Sequence, residues 1–414
     1  MTVKFSEQLG KIGVHVSENM DDLVKMRRHF HQHPELSRHE FKTTALLSER
    51  LRELGFEVRV RPEGVGLIAD LVPADFDVMV HPTVAIRADM DALPIQEANT
   101  VDYCSRENGV MHACGHDVHI TCTFGALSAL AAMKDELPGR IRIIYQHAEE
   151  VAPSGAPEMI AFGAMEDVEA IVALHCDPEL PVGTIGLKKG PLCASFDRFI
   201  YTIKGVGGHG ARPHHCVDPV FVGVQLCQAL YQVTGRTFDA REPVVLSLGE
   251  FRAGHAPNVI PETAHLSGSV RTVSNESRAR VEDMLNRMAE GVCAMYGASY
   301  ELDLYRGAPA IINDDEVINV LRDVVVERLG PESKSITWLK LPSMGSEDFS
   351  CYLSHAPGAM FRLGVRREGA PVHLLHSDRF NVDEEAIGHG AHILAGAALR
   401  MLHRRAEARE DVIL

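Results

Sequence analysis

Several absences narrow this chain before any motif is read. It has no apolar run of about 18 residues, the length a helix needs to cross a bilayer, so no membrane span is expected. Met1 to Met20 mixes Lys, Glu and Gln with apolar residues and lacks the apolar core of a secretion signal. Positive charge is also short. Lys and Arg number 41 against 57 Asp and Glu, a net charge of -16, which leaves no basic field to attract nucleic acid or an anionic membrane. The nine cysteines are odd in number and scattered, without the spacing of a disulfide framework. Together with the missing export signal, this predicts reduced thiols and a cytoplasmic location. No Gly-x-Ser-x-Gly elbow, paired glycine-rich cofactor fingerprint, internal repeat or low-complexity tract occurs.

What is present is an ordinary globular composition, 45% hydrophobic and 24% charged. At about 100–200 residues per domain, a chain of this length predicts two or three domains. Apolar runs at 56–72, 84–88, 141–146 and 170–174 read as strands, and 21–56, 120–133 and 155–162 as helical. The alternation predicts an α/β domain, a mostly parallel sheet with helices on both faces. Asp89, Glu149-Glu150 and His175 each follow the end of a predicted strand, which would gather them on one rim of the sheet.

Near residue 193 the pattern changes. Strands at 198–204, 244–251, 264–272 and 299–305, with helices at 217–233 and 274–296, give the order β-α-β-β-α-β. That is the ferredoxin-like split motif. The expectation is a second domain, 193–305, inserted into a first formed by 1–192 and 306–414.

The candidate chemistry centres on His112-Ala113-Cys114-Gly115-His116-Asp117-Val118-His119. A thiolate and an imidazole one residue apart suit zinc and related divalent metals. Alone they are a weak signal. Glu150 and His175 at strand ends, with His376 in a late loop, strengthen it. Adjacent carboxylates at Glu149 and Glu150 repel unless a cation is near. One can ligate the ion while the other takes a proton from a water that the ion acidifies. A solvated acidic turn is the plainer alternative. His209 lies in a glycine-rich loop, Gly205 to Ala211, either a flexible turn or a way for the imidazole to reach a reacting carbonyl. Asn258 is held between two prolines. Arg271 ends a strand, where an arginine either clamps a substrate carboxylate or makes a surface ion pair. His29, His31 and His33 read as a helix end broken by Pro34 rather than as a metal site.

These motifs, from Arg28–Glu35 and Arg87–Pro94 through His112–His119, Glu149-Glu150, His175, Gly207–His214, Asn258, Gly345–Phe349 and His376, carry a resemblance. From Arg27 to Leu402 the chain resembles the aminoacylase and carboxypeptidase superfamily of metallohydrolases. Within it, the chain is similar to the amidohydrolase branch that includes hippurate hydrolase, N-acyl-amino-acid amidohydrolases and plant auxin-conjugate hydrolases. The resemblance implies Cys114, His116, Glu150, His175 and His376 as metal ligands and Glu149 as general base. It implies His209 as the small-domain histidine that reaches a partner's active site, Asn258 and Arg271 as substrate contacts, and Gly345 in the pocket loop. It further implies two divalent ions per subunit, zinc or manganese with cobalt and nickel compatible, and a homodimer formed through the inserted domain. The implied reaction is hydrolysis of the amide bond of N-acyl-amino acids. The alternatives are a dipeptidase, carboxypeptidase or pathway-specific deacetylase of the same chemistry, or a binding protein that kept the fold without catalysis.

Two departures stand out. Sister branches carry His-x-Asp where this chain has Asp89-Met90-Asp91, so an aspartate here is expected to support the ligands from behind. His147 replaces a common proline before the two carboxylates, and its imidazole is a candidate to touch substrate or metal.

Overall fold

The computed structural model describes residues 2–413, with side chains from 5 to 409. The chain divides into two compact units. One comprises Met1–Gly190, Asn313–Lys340 and Cys351–Leu414, the other Pro191–Ile312 and Leu341–Ser350.

The first unit opens with helices α1 (Thr2–Glu18), α2 (Met20–Gln32) and α3 (Phe41–Glu53). The apolar spacing predicts the last two, while α1 lies where the sequence assigns no element. Next come β1 (Glu57–Val60), β2 (Leu67–Leu71), β3 (Thr83–Asp89), α4 (His116–Ala131), β4 (Arg140–Gln146) and α5 (Ala156–Ala161). Then follow β5 (Val168–Pro181), β6 (Ile185–Leu187) and, at the boundary with the second unit, β7 (Gly190–Cys193).

The second unit holds β8 (Asp197–Lys204), β9 (Gly208–His209), α6 (Pro219–Thr237), β10 (Val244–Ala253) and β11 (Val259–Ile260). It continues with β12 (Thr263–Thr272), α7 (Asn275–Tyr296) and β13 (Ser299–Arg306). After the boundary strand β14 (Ile311–Asn313), the first unit resumes with α8 (Asp315–Leu329), α9 (Glu332–Ser335), β15 (Ile336–Trp338), β16 (Gly358–Arg366) and α10 (Glu385–Ile413).

The large sheet of the first unit runs β1-β2-β4-β3-β5-β16-β6-β15. Its centre is parallel, since β4, β3, β5 and β16 run the same way, and antiparallel strands lie outside. β2 and β3 are buried along their whole length, which requires cover on both faces and explains their continuous apolar runs. β5 is longer than the sequence suggests. It continues past Leu174 because β16 pairs with it from Ile171 to Pro181 and supplies backbone partners to a polar stretch. His175 therefore lies inside the strand and not just past its end.

Helix α4 starts at His116, earlier than the apolar pattern from Ile120 suggests. Gly115 sets the start with φ +87°, and a side chain there would meet the Cys176 sulfur at 3.0 Å. This tight turn lets Cys114 and His116 face one place. No helix among the described residues is long and apolar enough to cross a membrane.

In the second unit the chain order of the main elements is β8-α6-β10-β12-α7-β13. They build a four-stranded antiparallel sheet, β10-β12-β8-β13, the split arrangement read from the sequence. The Asp218 side chain caps α6 by accepting from Val220 N–H, and Ser274 caps α7 by accepting from Ser277 N–H. Phe199, Tyr201 and Ile203 of β8 pack on Val222, Leu226 and Leu230 of α6 and on Val281, Met284 and Leu285 of α7.

Candidate metal centre

Five side chains of the first unit converge: Cys114 and His116 at the head of α4, Glu150 past the end of β4, His175 in β5, and His376 in the loop after β16. Their donor atoms form two overlapping triads. Those of Cys114, His116 and His175 lie within 4.8 Å of one another, as do those of Cys114, Glu150 and His376, so Cys114 is common to both. His116, Glu149 and Glu150 form a further such group, which puts the second carboxylate at the same place. Cys114 Sγ lies 3.6 Å from His175 Nε2. Glu150 Oε1 lies 3.3 Å from His376 Nε2 and 3.8 Å from His116 Nε2.

The supports are specific. The His175 Nδ1–H donates to the Cys176 carbonyl at 2.8 Å, leaving Nε2 as the lone-pair nitrogen that faces Cys114. His376 has φ +64° and is held there by its N–H, which donates to the Ala113 carbonyl at 2.8 Å. Two buried carboxylates tie down the acidic loop. Glu40 accepts from Ala148 N–H at 2.8 Å and Asp91 from Glu150 N–H at 3.0 Å. Asp117 is gripped by Arg27 Nε and His31 Nδ1, both at 2.8 Å, anchoring the first turn of α4 to α2.

The electrostatics fit a divalent cation. Burial opposes charge on His116, but Asp89, Asp91 and Glu150 outweigh it and lift its pKa to about 10. Both its ring nitrogens are buried without a hydrogen bond. A protonated imidazole surrounded by carboxylates marks a place that demands positive charge. Burial, then Arg362 and His119, hold His175 well below the ordinary histidine range, so it is neutral, the state in which an imidazole can bind a cation. Burial, Glu150, Glu149 and Asp89 push the Cys114 thiol far up, and a cation is what would make it a thiolate. The donor set of thiol, imidazoles and carboxylate suits a borderline-soft divalent ion.

The sequence pattern of peptidase family M20/M25/M40 matches residues 85–400. The chain belongs to this family. It is 41% identical over 301 residues to the N-acyl-L-amino acid amidohydrolase of Geobacillus stearothermophilus, covering 73% of this chain and 80% of that one. It is 36% identical over 396 residues to the N-acetyl-L-cysteine deacetylase of Bacillus subtilis, covering 96% of this chain and 92% of the relative. Among solved structures it is similar to the Bacillus subtilis YXEP protein, a dinuclear metal binding peptidase of family M20. That match has a TM-score of 0.81 at 35% identity, covering 94% of this chain and 99% of that one. As a member of family M20/M25/M40, the protein is a metal-dependent amide hydrolase.

The other residues that the sequence proposes for the site of this M20 chain lie in the second unit, in two pairs. His209 sits opposite Val259 in the β9–β11 ribbon, and Gly210 N–H donates to the Asn258 carbonyl at 2.8 Å, so His209 and Asn258 are neighbours, both exposed. Arg271 Nη1 donates to the Met344 carbonyl at 2.9 Å, beside Gly345, and its guanidinium stacks over Phe196.

His147 does not join the ligand triads. Its ring lies 2.7 Å from Arg61 Nη1 and 3.1 Å from Glu158 Oε2, bracing the acidic loop from behind. His31 is the partner of Asp117 and also contacts Glu97 at 3.2 Å, in keeping with a structural role. Of the three residues flanking the candidate ligands in the 112–119 stretch, Asp117 and His119 make supporting hydrogen bonds. His112 is buried with neither ring nitrogen bonded, and nothing in the structure explains it. The motif Arg87–Pro94 contains Arg87 without giving it a role, and Glu40 lies outside every motif. A charged residue in the apolar run Val84–Ala88 was the available signal for Arg87, whereas Glu40 had none.

Proposed function

We propose that the protein hydrolyses the amide bond of N-acyl-amino acids, releasing the amino acid and the carboxylic acid. The observation that carries this reading is Glu149, a carboxylate grouped with His116 and Glu150 yet not needed by either ligand triad. Cys114, His116, Glu150, His175 and His376 would hold two divalent ions, zinc or manganese. When bound, such ions polarise the substrate carbonyl and lower the pKa of water.

The chain's own residues supply the remainder. Glu149 takes the proton from the attacking water and passes it to the departing amine, the work of a general base and then acid. His209 donates to the oxygen that gains negative charge at the tetrahedral stage. Arg271 and Asn258 hold the substrate carboxylate and carbonyl, and Gly345 leaves room in the pocket loop. The second unit acts as lid and as the face through which a homodimer forms. The names of the two curated relatives support the substrate class. Support for a cytoplasmic location comes from the cysteines, which are scattered without the spacing of a disulfide framework.

The test is metal analysis of the purified protein, followed by assay against N-acetyl, N-benzoyl and indole-acyl amino acids and dipeptides with that metal restored. Release of free amino acid from one acyl class is expected. No release from any acyl-amino acid, with dipeptides cleaved, would replace this reading with that of a dipeptidase.

A further inference from the structure

We propose that His119 is a positioning residue and not a metal ligand. It fixes the backbone that orients His175, and Asp89 sets its tautomer. This rests on the metal-site reading above.

His119 is a plausible ligand on proximity alone. It lies one turn beyond His116 on α4, with ring centroids 5.2 Å apart, and its donor atoms group with those of Asp89 and His116 within 4.8 Å. Its two hydrogen bonds remove it from competition. Nδ1 lies 2.6 Å from Asp89 Oδ1, and a carboxylate only accepts, so Nδ1 carries the proton. Nε2 lies 2.9 Å from the Cys176 backbone nitrogen, which only donates, so Nε2 carries the lone pair and has already spent it. A neutral imidazole has one of each, and both are committed.

The consequence falls on the next residue back. The Cys176 N–H is held by His119, while the Cys176 carbonyl accepts from His175 Nδ1–H at 2.8 Å. Gripping the residue at both polar groups aims His175 Nε2 at Cys114. Asp89 is itself held by Arg87 Nη1 at 2.6 Å. Arg87 Nε donates to Gln146 Oε1 at 2.9 Å, which also accepts from the Tyr352 hydroxyl at 2.9 Å. Every member is buried. The relay joins β3, α4, β4 and β5 behind the ligands, and ligation by His119 Nε2 would strand the buried Cys176 N–H.

The test uses the full-length zinc-loaded protein, labelled with 15N-histidine, and long-range 1H–15N correlation. The His119 signals are assigned by their loss in His119→Gln. The expected pattern is an Nδ1–H tautomer with an unmetallated Nε2 for His119. Chelator competition is the second measurement. His119→Phe, which keeps a ring but no hydrogen bond, is expected to bind zinc about 10–100-fold more weakly. His119→Gln, whose amide can donate to Asp89 and accept from Cys176, should recover most of that loss. Both should bind the wild-type number of ions at saturation. A metallated His119 nitrogen, one ion fewer in both variants, or unchanged affinity in His119→Phe would each overturn the positioning role. If His119→Phe does not fold, the wild-type tautomer and the Gln variant decide. Wild-type protein that binds no divalent ion would instead overturn the metal-site reading itself.

Discussion

Asp91 Oδ2 accepts the backbone N–H of Glu150 at 3.0 Å, while its other oxygen lies 3.4 Å from His116 Nδ1. One buried carboxylate thus touches two candidate ligands, one at the head of α4 and one past the end of β4, and Ser37 Oγ steadies it at 2.6 Å. Asp91→Ala removes all three contacts. Divalent metal affinity is expected to fall by about 10–100-fold, the usual effect of losing a group that orients ligands. Competition against a chelator of known affinity checks this, with circular dichroism confirming the fold.

Glu149→Gln keeps the size and shape of the side chain but cannot hold a transferable proton. It is expected to retain bound metal and to lose about 10²–10⁴-fold in kcat, the range a general base contributes. Wild-type turnover in this variant would remove Glu149 from the reaction.

The Arg27–Asp117 pair is buried at both ends. Arg27→Met leaves the carboxylate of Asp117 without its main counter-charge at the first turn of α4. The expected cost is about 3–5 kcal/mol of unfolding free energy, read from urea titration. Metal affinity should fall with it, because Asp117 adjoins His116.

A pH effect is expected away from the site. Burial, Arg328 and His389 push the His392 imidazole on α10 down to about 3. The same group titrates near 6.5 in the unfolded chain, at about the ordinary value. Between those limits the unfolded chain holds the extra proton, so stability is full above about 6.5 and falls as pH falls. At pH 5 the loss from this one group is about 2 kcal/mol. His392→Gln should flatten the difference between urea midpoints at pH 7 and pH 5.

Much of the fold was legible because the signals are local. The continuous run at Val84–Ala88 and the helical stripe of Ser274–Tyr296 follow from burial on two faces and on one. Register and strand length were not legible. Nothing in Asp177-Pro178-Glu179 marks a strand until β16 lies beside it. In the centre itself, Cys114-x-His116 and Glu149-Glu150 were readable because both donors come from a few consecutive residues.

By itself the sequence determined most of the longer elements, the absence of a membrane-spanning run, and the donor types available for a metal, because each depends on side chains and near neighbours. Only the tertiary structure decided which carboxylates hold which backbone groups. Glu40 and Ala148 are 108 positions apart, and His119 and Cys176 are 57 apart. It also turned His147 toward Arg61 and committed both nitrogens of His119. Such pairings have no local period. They exist because neighbouring strand ends leave buried polar groups that must find partners, and the partner is whichever group the packing brings within reach.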